Sequence, residues 1–428
     1  MEWWLGKPLN ARFKSNARLE TFPLMNAMKN RCTRPMLCAR DVQPITPPLH
    51  HSITPPSPSV RLLASAKSWI EGEALRQLYA TARLEGVHRA IGFPDLHPGR
   101  GVPVGSAFLT ADKFYPHLIG GDIGCGMGLW KTDLLRPKAK LDRWAALRFD
   151  LEHPWEGDTR EVLASAGLHS TRFDAALGTI GGGNHFAELQ AIEEILDARN
   201  MKKLGLGKNE MVVLVHSGSR GLGETILRNH VDEHHAEGAV AGSSAAEDYI
   251  RGHDIAVRWA ATNRALIAKR FLSALGASGG RVWDACHNSI TPLPSSAGDT
   301  RWLHRKGAVP VETDPLVIPG SRGALSYLVL PLGDGETNLW SLAHGAGRKW
   351  SRSETRSRMR ERFRQPELVQ TPLGGRVICE DRDLLYEEAP AAYKNIETVI
   401  QDLVDAGLAS VIATMRPLLT YKTRAARR

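Results

Sequence analysis

Strand-like runs that stop at glycine or a polar residue constrain this chain more than anything else in it. GVPVGSAFL, GMGLWKTDLL, EMVVLVHSGSR and DPLVIPGSRGALSYLVLPL mix β-branched and apolar residues with glycine, and runs of this kind end in Gly, Ser, Asn or His. Each is short enough for a strand and too broken for a long helix. Polar side chains then sit where strands stop and turns begin, the positions from which a rigid sheet presents functional groups. Short helical segments intervene and no solenoid period repeats, so the pattern predicts a single α+β domain with a sheet-rich core and its active site at strand ends and glycine-rich turns.

Other signals place the ends of that domain. Residues 1–58 are basic, show little periodicity and close on VQPITPPLHHSITPPSPS, which sustains neither helix nor central strand, so they are expected to form a disordered arm. The folded domain is expected over 59–428. Ser68 and Glu71 have capping-box spacing and predict a helix running through Trp69, Ile70, Leu75 and Leu78. Ile396, Val399, Ile400, Leu403 and Val404 keep helical spacing up to a stop at Gly407, and SVIATM reads as a closing strand.

Composition excludes some classes and favours others. The 428 residues, 42% hydrophobic and 24% charged, suit a globular protein, and no apolar run approaches the roughly 18 residues of a membrane span. A formal charge of +9 favours an anionic partner, with nucleic acid the commonest. The five cysteines are scattered, without a CxxC pair, which fits a reducing compartment; MEWWLGKPLNARF lacks the order of a secretory signal, so the cytoplasm is expected.

Chemistry concentrates in a few turns. Gly120-Gly121-Asp122-Ile123-Gly124-Cys125-Gly126 can bring a hard oxygen and a soft sulfur to one point. His185 sits in GGGNHF, His216 ends VVLVH before SGSR, and His287 lies in CHN. A lone histidine is usually a core residue, but three in such settings beside Asp122 and Cys125 form a candidate site for Mn²⁺, Fe²⁺ or Zn²⁺. His50, His51, His234 and His235 gain nothing from this argument and are expected on polar or solvated faces.

His344 keeps different company, in SLAHGAGR. Gly345, Ala346 and Gly347 let a bulky ligand approach the backbone, Arg348 can pair with phosphate, and a neutral ring nitrogen can act as a covalent nucleophile. A glycine turn with a structural histidine is the competing reading. Arg348, Arg352 and Arg356 would share a face if helical, and the run continues through Arg358, Arg360, Arg362 and Arg364. Such a run is either a solvated face or a track for an RNA backbone. Lys306 and Arg220 are further phosphate candidates, and Asp95 and His97 in PDLHPG could help position reacting ends.

In order and spacing, PDLHPGRGVPVG, GGDIGCG, GGGNHFAE, VHSGSRG, HN, HRKGA, VIPGSRG and SLAHGAGRKWSR resemble the RtcB family of RNA ligases, from about residue 60 to Lys422. The shorter first half and the wording GGDIGCG look nearer a divergent bacterial RtcB2-type branch. The resemblance implies that Asp122, Cys125, His185, His216 and His287 hold two Mn²⁺ ions, with Cys125 bridging, and that GTP guanylylates His344. It implies nucleotide contacts from Asn184, Glu188, Ser321, Ser326 and Lys422. It also implies the reaction: a 2′,3′-cyclic phosphate opens to a 3′-phosphate, GMP passes to it from His344, and a 5′-hydroxyl displaces GMP to join the RNA ends, in RNA repair or tRNA splicing. Three positions depart from the family pattern: Arg322 and Ala324 stand where Met and Thr are common, and Thr423 replaces a final glycine.

Two other readings compete. A cyclic phosphodiesterase that only processes RNA ends would need the metal ligands but not His344, Ser321, Ser326 or Lys422. A basic RNA-binding protein built on a dead ligase fold would have lost ligands, and none is missing.

Overall fold

The computed structural model describes residues 58–293, 300–312 and 315–424. The arm expected over residues 1–58 therefore lies outside the described residues, apart from Pro58.

The strand-like runs all become strands, and two sheets carry most of them. The larger orders Leu316–Ile318, Ser326–Pro331, Ala409–Thr423, Phe186–Ile195, Glu210–Ser217, Gly126–Leu135 and Gly279–Cys286, with Arg376–Cys379 also paired to Ala409–Thr423. The smaller orders Ser59–Leu62, Val87–His97, Val104–Ala111, Arg301–Lys306 and Asn288–Leu293. Val212 and Leu214 of the larger sheet share a core with Ile91, Phe93, Leu109 and Leu303 of the smaller, while Val213 and Val215 point the other way. That alternation buries both faces of one strand, which is why MVVLV reads as a continuous apolar run rather than an alternating one.

The second face is covered by an element the sequence reading overlooked. Ser244–Leu275 is a 32-residue α-helix, opened by Ser243 accepting from the Ala246 N–H and closed by Gly276 at φ 67°. Short helical segments were expected instead. The helix is hard to read because it buries two faces at once. Ile267, Phe271 and Leu272 pack under the large sheet, Ala256, Trp259 and Leu266 form another cluster, and polar Asn263 and Arg264 are buried beside them. A wide buried surface interrupted by polar residues blurs the single apolar stripe expected of a surface helix.

The expected capping box at Ser68 does not form. The helix is Gly72–Ala82, with Glu71 at its N-cap and no side-chain cap. Ser68 Oγ donates instead to the Asp402 carboxylate, which also takes the Ser65 N–H at 3.0 Å, and Trp69 is left 59% exposed. Tertiary pairing has outcompeted the local cap. The Ile396–Asp405 helix and the strand after it appear as expected, with Asn395 capping the helix through the Glu397 N–H and Val404 on the exposed side. Among the described residues no helix is long and apolar enough to cross a membrane.

Candidate active site

Sheet register assembles the site floor. Met127 pairs with His216 and His216 with Phe186; one step along, Leu214 pairs with Glu188 and Glu188 with Thr420. Alternate residues share a face, so His216, Phe186 and Glu188 lie on the same side of the sheet. There they line a cavity of about 1130 Å³, roofed by the turns that carry Asp122, His287, Ser321 and His344.

One end of the cavity gathers soft and borderline donors. Among the described residues, Cys125, His185 and His216 bring one ligand atom each within 4.8 Å of one another, and all three are buried. Cys125 Sγ lies 3.4 Å from His185 Nε2 and 3.3 Å from His216 Nε2. Backbone carbonyls fix both rings: His185 Nδ1 meets Ile180 O at 3.1 Å and His216 Nδ1 meets Asn184 O at 3.3 Å, so each Nε2 faces the sulfur. This is the outer-shell arrangement that orients imidazole ligands. Asp122 Oδ2 is 3.1 Å from His185 Nε2. The His287 ring lies 5.1 Å from that of His216, and His287 Nδ1 is buried without a partner.

Electrostatics at this end suit a cation. Burial, together with the charge of other histidines, keeps His216 and His287 well below the ordinary imidazole range, hence neutral and able to ligate. Burial opposes charge on Asp122, yet His185, Cys125 and His216 outweigh it and hold the carboxyl well below its usual range. Burial and Asp122 push the Cys125 thiol up. A divalent ion is what would draw that proton off, because a coordinating thiol is deprotonated outright. The donor set therefore fits a metal, with neutral imidazoles, an ionised carboxylate and a sulfur sharing one point.

Glycine is required where the loops close on these groups. A Cβ on Gly218 would sit 1.9 Å from Asp122 Oδ1, so the SGSR turn can pass Asp122 only without a side chain. Gly347, at φ 71°, would place a Cβ 2.2 Å from Asp95 O.

That second contact docks the His344 turn onto the end of the Val87–His97 strand. Asp95, wholly buried, accepts His344 Nδ1 at 2.7 Å and the His344 backbone N–H at 3.3 Å through one oxygen. With the proton on Nδ1 facing a carboxylate, Nε2 carries the free lone pair. The His344 ring is 4.7 Å from His287, which joins it to the row His185–His216–His287. His97 Nδ1 meets Asp95 O at 2.9 Å, and burial lowers its pKa to about 4, so it is a neutral neighbour of the same turn.

The far end is a buried network of opposite charges. Glu188 takes hydrogen bonds from Thr420 Oγ1 and from Gln190 Nε2, and burial pushes its carboxyl up despite them. Gln190 Nε2 also donates to Ser326 Oγ at 2.9 Å. Ser326 thus lies behind the cavity wall, reaching the cavity through Gln190 and Glu188, whereas Ser321 and the Asn184 side chain border it directly. Lys422 is 96% buried, 3.8 Å from Glu388, and burial lowers its pKa to about 8.

The arginines divide. Arg348 was expected to be free for phosphate, but its Nη1 donates to Glu388 and Tyr393, its Nη2 to Thr355 and the Glu387 carbonyl, and its Nε to the Trp350 carbonyl. Five partners occupy all five N–H groups, which makes Arg348 a strut of the wall. It also precedes the helix Arg352–Arg362, so it does not share that helical face. Arg352 does, with a side chain 50% exposed and its Nε 3.9 Å from Glu388. Arg356 and Arg360 pair with Asp383, and Arg358 lies over Trp350. Lys306 borders the cavity with Nζ on Ile119 O at 2.6 Å. Arg220, at φ 56°, packs its guanidinium against Gly181 and feels the charge of Asp122 and Cys125 without bordering the cavity. His234 stands beside His230 on a partly exposed helix face, as expected; His50 and His51 fall outside the described residues.

The residues that hold the donor-bearing loops in place escaped sequence reading. Arg264 is 1% exposed, pairs with Asp284 at 2.6 and 2.8 Å, and donates to Gly124 O at 2.8 Å and Ser217 O at 3.0 Å. Its neighbour Asn263 takes the Gly178 N–H at 2.7 Å and gives its amide to Ser217 Oγ and Gly218 O. One helical turn thereby clamps three active-site loops. The only available signal was a polar pair inside an otherwise apolar stretch. Arg264→Ala would strand Asp284 and two loop carbonyls, Gly124 O and Ser217 O. A loss of about 3–5 kcal/mol is expected in urea unfolding.

Comparison with known proteins identifies the family. The model of the family described as tRNA-splicing ligase RtcB matches residues 77–166 and 150–423. The chain is 46% identical over 371 residues, covering 86% of it and 97% of the relative, to an RNA-splicing ligase RtcB2 of Escherichia coli. It is 28% identical over 440 aligned positions (81% of this chain, 91% of the relative) to a tRNA-splicing ligase RtcB of Aeropyrum pernix. To that of Thermococcus kodakarensis it is 28% identical over 443 (81% and 90%). The chain belongs to the RtcB family. Within it, the sequence is nearer the RtcB2 relative than either of the other two.

Proposed function

We propose that this protein is a GTP- and Mn²⁺-dependent RNA ligase that joins RNA 3′-phosphate or 2′,3′-cyclic phosphate ends to 5′-hydroxyl ends. The observation that carries the reading is the Asp95–His344 pair at the edge of the donor cluster. A neutral histidine that donates Nδ1–H to a buried carboxylate keeps its lone pair on Nε2, the form a covalent nucleophile needs. The family names borne by its relatives support RNA ends as the substrate.

In this reading Asp122, Cys125, His185, His216 and His287 hold two Mn²⁺ ions, whose charge would offset that of the triphosphate and RNA phosphates. His344 Nε2 attacks the α-phosphorus of GTP; a P–N bond forms, the α–β P–O bond breaks, and pyrophosphate leaves. Water has meanwhile opened any cyclic phosphate to a 3′-phosphate. An oxygen of that 3′-phosphate attacks the same phosphorus, the P–N bond breaks, and His344 is restored with an RNA-3′-pp-5′-G end released from it. The 5′-hydroxyl oxygen then attacks the RNA-derived phosphorus, its proton is lost, and GMP departs with the bridging oxygen. A phosphate monoester is a poor electrophile, and attaching GMP gives it a leaving group. Asn184, Glu188, Ser321 and Lys422 hold the nucleotide, with Ser326 acting behind Glu188. Lys306 and Arg352 face the phosphates, and Arg220 adds positive charge beside the metal ligands.

Incubation with labelled GTP and Mn²⁺ is expected to give an acid-labile protein–GMP adduct, absent from His344→Ala. Equal labelling of that variant would sink the assignment. Cyclic-phosphate opening without adduct or joining would establish an end-processing enzyme instead.

A further inference from the structure

Arg322 differs from every other cation bordering the cavity. It is 93% buried, and only Nη2 has a partner, the Leu385 carbonyl at 2.9 Å. Nε and Nη1 are buried with none. A guanidinium keeps its proton in proteins, so these nitrogens remain donors whatever surrounds them. Buried donors without acceptors are destabilising, and a charged one more so. Hydrophobic residues could fill the same space without that cost, so an acceptor supplied from outside the chain is the economical explanation.

The position of Arg322 narrows what that acceptor is. It stands on the turn between the strands Leu316–Ile318 and Ser326–Pro331. Ser326, at the end of that turn, is linked through Gln190 to Glu188. The carboxylates of Glu388 and Glu188 are near enough to act on the guanidinium electrostatically. Glu188 lies one same-face step along the sheet from the Phe186–His216 pair, and both Glu188 and Arg322 border the cavity, so a nucleotide whose α-phosphate meets His344 can extend its base toward them. The two ends of the base-reading set are therefore an acceptor, Glu188, and a donor, Arg322.

We propose that Arg322 is a specificity-determining residue that donates to the acceptor edge of a guanine base, O6 and N7, while Glu188 faces the donors of the same ring. Guanine offers acceptors at both atoms, whereas adenine puts an amino donor where O6 would be. Donor against donor in a buried site is rejected, so Arg322 would add to discrimination against adenine at this position of the chain. The inference rests on the GTP-dependent reading above.

The test is the rate of adduct formation by the full chain with GTP, 7-deaza-GTP and 6-thio-GTP, which lack N7 or weaken the acceptor at position 6. The native protein is expected to prefer GTP over at least one analogue by about tenfold, the size of one lost hydrogen bond to a charged donor. Arg322→Met, which removes the donors and fills the space, should bring that ratio to within about twofold and raise the melting temperature of the nucleotide-free protein. If the methionine variant does not fold, Arg322→Lys serves, with a shorter reach and an expected intermediate ratio. Unchanged ratios in the folded variant overturn the proposal. So does weakened RNA binding with unchanged ratios, which would reassign Arg322 to RNA. Failure of the native protein to form an adduct with any nucleotide would overturn the GTP reading and this inference together; an adduct with unchanged ratios overturns only the inference.

Discussion

Asp95→Asn is expected to slow formation of the His344 adduct by roughly three to four orders of magnitude, the scale seen when the carboxylate orienting a catalytic histidine becomes an amide. Asp95 Oδ2 accepts from both the backbone N–H and Nδ1 of His344, at 3.3 and 2.7 Å, and the carboxylate is wholly buried. An amide of the same shape can turn its NH₂ toward Nδ1, giving up the acceptor that the His344 backbone N–H shared. The imidazole then carries its proton on Nε2, the nitrogen that must attack. Volume is unchanged and the Gly347 contact is to the Asp95 backbone, so the fold should persist. GTP affinity should therefore hold while the labelling rate collapses, and circular dichroism should match the native protein. Labelling at the native rate would mean that Asp95 only packs the turn.

The same pair shows what a sequence can and cannot disclose. PDLHPG and SLAHGAG each announced a polar residue in a turn, but nothing in either states that Asp95 and His344 share a hydrogen bond across 249 residues. Asp95 was expected to help position reacting ends; its side-chain hydrogen bonds are to the backbone and ring of His344. The strand runs were legible because apolar content and terminal glycines are local. The five metal-ligand candidates were legible as residue types; that Cys125, His185 and His216 meet depends on register, which pairs strands far apart in sequence. The five acceptors around Arg348 were not legible, because a positive charge after a histidine motif looks the same whether or not they wait for it. Arg264, Asn263, Gln190 and Glu388 were invisible for a related reason. Each is an ordinary polar residue whose importance comes from burial and partners, and local pattern carries neither.

Cys125→Ser tests the other half of the site, and its readout does not depend on catalysis. The sulfur lies 3.4 Å from His185 Nε2 and 3.3 Å from His216 Nε2, so it is the atom the two imidazoles converge on. A serine hydroxyl fits the space but does not ionise in such a buried place, so it offers neither the charge nor the bridging capacity of a thiolate. Outer-shell changes alone cost about 10–100-fold in metal affinity, and loss of a ligand should cost at least about 100-fold. That figure converts into stability. At a Mn²⁺ concentration near 100 times the dissociation constant, binding should stabilise the native protein by about 2.7 kcal/mol. The same concentration would only half-saturate a variant weakened 100-fold, leaving about 0.4 kcal/mol. Urea unfolding with and without Mn²⁺ measures the difference directly. End joining should fail in parallel. If the serine variant keeps the full Mn²⁺-dependent shift, Cys125 is a small buried residue among histidines and the metal lies elsewhere. If the native protein shows no shift with Mn²⁺ but one with Zn²⁺ or Fe²⁺, the donor set stands and only the ion changes, because neutral imidazole, carboxylate and thiolate accept all three.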